Sequence, residues 1–125
     1  MLCWSAGVQA GPYHMLQRVL FKVGLSSEQM EKVKDFHFAA ERKMIEIRYQ
    51  QDQTQLELEQ ALGAKEPDRA KIFALIEKVE VLEVAKHKNR LGFMLDIRAL
   101  MSPEQWRKLE TLHKERGVRR GEPGR

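Results

Sequence analysis

Leu25-Ser26-Ser27-Glu28-Gln29-Met30-Glu31-Lys32-Val33 recurs, displaced by 76 residues, as Met101-Ser102-Pro103-Glu104-Gln105-Trp106-Arg107-Lys108-Leu109. Each copy reads as the start of a helix. Ser26 and Ser102 stand at the cap, where a hydroxyl accepts from a free backbone N–H of the first turn, and Gln29 and Gln105 stand at N3, where the amide reaches back to the cap's own N–H. Pro103 at N1 has no donor to lose, and Glu28 and Glu104 complement the positive end of the helix dipole. Both copies continue to a histidine at the same offset, His37 and His113.

From the first copy, the pattern predicts a helix from Ser27 to about Leu62, stopped by Gly63 with Pro67 beyond. Its seam runs through Met30, Val33, His37, Ala40, Met44, Ile47, Gln51, Thr54, Leu58 and Ala61 in steps of three and four. Gln51 and Thr54 are poor core residues, so the polar stretch from Tyr49 to Gln55 is expected to be the least tightly packed part. Phe36, Ile45, Tyr49 and Leu56 form a second partial face. Another helix starts near Pro67-Asp68 and carries Ile72, Leu75, Val79, Leu82, Lys86, Phe93, Ile97 and Leu100.

Two helices of about 35 residues, each roughly 50 Å long and joined by a short loop, make an antiparallel hairpin. A shorter helix before Gly24, using Tyr13, Leu16, Val19, Leu20 and Val23, and a last one from Pro103 to about Arg116 complete an all-α chain of four helices. A hairpin this long leaves apolar residues uncovered, and the expectation is a homodimer.

The chain has 125 residues, with 22 basic and 18 acidic side chains and a net charge of +4. That length holds one core. No stretch is long and apolar enough for a membrane span. The two charge signs are interspersed on the three predicted helices that follow Gly24, which speaks against nucleic acid as a partner. Enzyme chemistry finds no phosphate loop, no nucleophile with a paired base and no buried carboxylate pair, and the one cysteine, Cys3, lies outside the predicted helices. Met1 to Val8 is short and apolar with no Lys or Arg, and Val8-Gln9-Ala10 has the small-x-small form of a signal-peptidase site, so residues 1–10 read as the remnant of a secretion signal. The helical domain is expected over residues 11–116, and 117–125 is expected to be a flexible basic tail.

Leu25-Ser26-x-x-Gln29 and Met101-Ser102-x-x-Gln105 resemble the paired Leu-Thr-x-x-Gln motifs of the Spy/CpxP group of bacterial periplasmic proteins, which includes zinc-resistance-associated and heavy-metal sensor relatives. Here serine replaces threonine in both copies and Met101 replaces leucine in the second. The resemblance covers about residues 13–116. It implies a dimer of bent hairpins forming a shallow cradle in the periplasm, without an active site or a required cofactor. It also implies ATP-independent shielding of unfolded proteins, partnership with a membrane sensor kinase, or metal sensing.

For a chaperone or envelope-stress adaptor the candidate contact residues are Met44, Ile47, Arg48, Tyr49, Lys86 and Arg90: adaptable apolar groups beside cations that steer acidic clients. Each taken singly also fits hairpin packing or a solvated face. The alternative is binding of a divalent metal such as zinc. His37 and Glu41, four apart on one helix face, are candidate ligands, with His113 and His14 elsewhere in the chain. They are too few to hold an ion tightly without a second chain or helix. The sensor relatives carry a histidine and a methionine where this chain has Phe93 and Ile97, which argues against the same sensing site. A plain coiled-coil interaction protein would share the fold without accepting varied clients.

Overall fold

A computed structural model describes residues 12–119, with side chains described for 13–116. It has four helices and, among the described residues, no strand: α1 (Pro12–Val23), α2 (Ser27–Leu62), α3 (Arg69–Leu100) and α4 (Pro103–Arg119). The expected secretion remnant, residues 1–10, lies outside the described residues. So do residues 120–125, the greater part of the expected tail, whereas 117–119 continue α4. The described residues fall into two compact units, one up to Asp35 together with those from Asp96 onward, the other Phe36–Leu95.

In the first unit, α1 ends on Gly24, whose φ of +95° suits a residue without Cβ. Its N–H donates to the Phe21 carbonyl at 3.1 Å and that of Leu25 to the Leu20 carbonyl at 3.2 Å, the bond pair of a Schellman stop. Leu20 and Leu25 are both buried. Leu25 thereby closes one helix as Ser26 opens the next. The Ser26 hydroxyl accepts from the Gln29 N–H at 3.1 Å, and the Ser26 N–H donates to Gln29 Oε1 at 2.8 Å. Ser102 and Gln105 repeat the arrangement at 3.1 and 2.9 Å.

The two boxes are joined through their glutamines. Gln29 Nε2 donates to the Leu100 carbonyl at 2.7 Å and to Gln105 Oε1 at 3.1 Å. Gln105 Nε2 donates to the Gly24 carbonyl at 2.9 Å and to Gln29 Oε1 at 3.1 Å. Gly24 and Leu100 each immediately precede their own copy of the motif, so the repeat in sequence is a local twofold in space. Leu20, Val23, Val33 and Ile97 fill the apolar interior of this unit. Tyr13 packs at its edge, where burial pushes the phenol pKa up against the opposing effect of its bond with Gln17. Arg98 stacks over the Trp106 ring at 4.3 Å, and Trp106 Nε1 donates to Glu110 at 2.9 Å.

The second unit is the hairpin formed by α2 from Phe36 onward and by α3 as far as Leu95. The Gly63 N–H donates to the Glu59 carbonyl at the end of α2, and Asp68 caps α3, its carboxylate accepting from the Lys71 N–H at 3.3 Å. Every expected seam position of α2 and α3 is buried or half-buried. The polar middle of α2 departs from expectation. Thr54 has 0% exposure, because its hydroxyl donates to the Gln50 carbonyl at 2.7 Å and leaves only its methyl to pack. The stretch expected to be loosest therefore contains the most deeply buried side chain of this unit.

Candidate functional site

Each helix of the hairpin has a second apolar seam. On α2 it is Phe38, Ile45, Tyr49 and Leu56; on α3 it is Val81, Val84, Leu91 and Leu95. All eight are between 48% and 66% exposed. Each stands two residues from an inner-seam position, about 160° round the helix, and so turns away from the hairpin interior. Their intervals of three, four and seven residues follow the heptad pattern of helices that pair with further helices. Exposed Arg42 and Asp52 interrupt the α2 seam, and exposed Lys88 interrupts that of α3.

The inner seam is held in register by polar bonds. Gln51 Nε2 donates to Glu83 Oε1 at 2.8 Å and Lys86 Nζ donates to the same oxygen at 3.2 Å. The Lys86 bond, assisted by the Gln51 amide, holds the Glu83 carboxyl below its ordinary pKa, outweighing the opposing effect of burial. Asn89 Nδ2 donates to the Ala40 carbonyl at 2.9 Å. An amide and a carboxylate at fixed heights along the hairpin disfavour a slip of one helix along the other, since a slip would strand them unpaired.

These contacts sort the six residues considered for client contact. Met44 is half-buried and Ile47 is 4% exposed; both belong to the inner seam, where Ile47 is not at the surface. Lys86 is half-buried and tied to Glu83. Arg90 is exposed, its Nη2 3.4 Å from His87 Nδ1. Arg48 is exposed, and Tyr49 lies in the outward seam, where its hydroxyl accepts from Gln53 Nε2 at 3.0 Å. Sequence reasoning overlooked Phe38 and all four outward residues of α3. The signal was present as a second heptad phase, 38-45-49-56 and 81-84-91-95, beside the inner one.

The metal candidates are not assembled. His14 and His113 are exposed in the first unit, on α1 and α4. His37 is half-buried in the second, its ring 5.6 Å from Phe38 and 6.0 Å from Phe93 between centroids, and Glu41 is exposed one turn on. Among the described residues no three His, Cys, Asp or Glu side chains converge as a metal would require. Phe93 and Ile97 serve packing, the first against His37 and the second buried in the first unit. No helix among the described residues is long and apolar enough to cross a membrane.

Compared with known families, residues 2–108 match the model of the family described as heavy-metal resistance, within the Spy/CpxP-like helical superfamily. No curated protein and no solved structure matches the chain.

Proposed function

The chain belongs to the heavy-metal resistance family, and we propose that it serves that resistance by binding proteins: as a periplasmic, ATP-independent chaperone or envelope-stress adaptor with no catalytic step. The observation that carries this reading is the exposed seam of Phe38, Ile45, Tyr49 and Leu56, interleaved with Arg42 and Asp52. Large, partly aromatic groups at this spacing bury an apolar segment of an unfolded chain, at about 25 cal/mol for each Å² covered. Neighbouring charges keep the surface wet enough to release it.

The α3 seam suits a different occupant. Val81, Val84, Leu91 and Leu95 are aliphatic and branched, the residue types that pack between paired helices. In this reading a second copy of the chain covers them, making a homodimer, while the α2 seam stays open to unfolded clients or to the sensor domain of a membrane kinase.

The second reading is direct binding of a divalent metal such as zinc. The family supports it, and His37 with Glu41 is its nucleus. The test is light scattering from a chemically denatured, aggregation-prone client diluted into buffer with the protein, without ATP, in chelator or in added zinc. Suppression in chelator supports the protein-binding reading. Suppression only with zinc makes the metal the switch, and none in either condition refutes the chaperone role.

A further inference from the structure

Helix α1 is covered on one side only. Leu16, Val19, Leu20 and Val23 are buried or half-buried, whereas His14, Met15, Arg18, Phe21 and Lys22 are exposed. Phe21, at 77%, has the greatest exposure of any large apolar side chain described, and Met15 is at 57%. The helix contains no Asp or Glu.

Three shallow depressions in this unit share Lys22. One is bordered by Arg18, Phe21 and Met30, another by Arg107, Lys108 and Leu112, and the third by Leu112, Glu115 and Arg116. The three linings together hold five cations and one carboxylate, Glu115, and none of the five cations forms an ion pair with another described residue.

We propose that this face, formed by α1 and the adjoining part of α4, rests on an anionic lipid surface. The unpaired Arg and Lys groups sit among the headgroup phosphates, and Phe21 and Met15 reach the boundary of the acyl chains. A helix with cations flanking apolar groups on its outer face has the character of an interfacial helix. The geometry favours a bilayer over an acidic protein. Phe21 protrudes, so a folded partner would need a matching pocket set inside a ring of carboxylates, whereas lipid is soft and admits the ring anywhere. The inference involves only the first unit and is independent of the client-binding role proposed for the hairpin.

The test is flotation of the full chain with vesicles of phosphatidylcholine, with and without phosphatidylglycerol, at low and raised salt. Binding is expected only with the anionic lipid, and salt is expected to release it. Lys22→Gln and Arg107→Gln are each expected to weaken it about fivefold, and Phe21→Ser about tenfold. These positions are exposed, and helical circular dichroism checks that the variants fold. Phe21→Trp is expected to shift its emission to the blue on anionic vesicles. Equal binding to neutral vesicles, no vesicle binding, or undiminished binding by Lys22→Gln and Phe21→Ser would overturn the proposal. So would Lys22-dependent binding of soluble polyglutamate without binding of vesicles, which would assign the face to an acidic protein.

Discussion

Gln29 and Gln105 each donate Nε2 to the other's Oε1 at 3.1 Å. Each oxygen also accepts from its own cap serine, and each nitrogen also reaches the carbonyl preceding the other copy of the motif. Both amides thus use both donors and two acceptor sites. The pair ties the end of α1, the start of α2, the end of α3 and the start of α4 into one knot, and it explains why the repeat needs glutamine and not only a capping residue.

Gln29→Ala or Gln105→Ala should lower stability by about 1–3 kcal/mol, because each leaves backbone groups of both motif copies unpaired. The double variant should cost clearly less than the sum of the singles, as expected for partners in one network. Gln29→Glu should also destabilise, since a carboxylate cannot donate to Leu100. Urea unfolding of the four proteins measures each effect.

Two glycines should respond in opposite directions. Gly24→Ala places a Cβ at φ +95°, with nothing within 4 Å to clash, so its cost is conformational, about 1–2 kcal/mol. Gly92 lies inside α3, also with nothing within 4 Å of an added Cβ. Gly92→Ala should therefore stabilise by about 1 kcal/mol. Paired thermal melts check the two signs.

The helix ends were legible because capping and glycine stops are local, decided within three or four residues. The inner seam was legible because the heptad steps from Met30 to Ala61 survive two polar interruptions. Less visible was how Thr54 is buried: threonine reads as polar, but in a helix its hydroxyl bonds the carbonyl four residues back. The joining of Gln29 to Gln105 is a tertiary contact that the spacing within each motif does not encode. The outward seams were only partly recognised, since the same residues could have completed the hairpin's own core until the inner seam was seen to fill it.

Acid should weaken the middle of the hairpin through Glu83. Its carboxyl is held below the ordinary value of 4.5, first by the bond from Lys86. A carboxyl whose folded pKa is depressed stabilises the fold above its unfolded pKa, and that contribution is lost as pH falls from about 4.5 through the depressed value. Glu83→Gln should remove this part of the acid sensitivity, and Gln51→Leu should move the Glu83 titration upward. Carboxyl carbon chemical shifts followed through acid titration report both.

The central claim, that the α2 seam holds clients while the α3 seam meets a second copy, is tested most directly by placing a photo-reactive phenylalanine at Ile45, at Leu91 or at Lys65 in the loop, and irradiating with a denatured client present. The account predicts client adducts from position 45, adducts between two copies of the chain from position 91, and few of either from position 65. Client capture that is equal from all three positions, or self-adducts from position 45 that exclude the client, would contradict it.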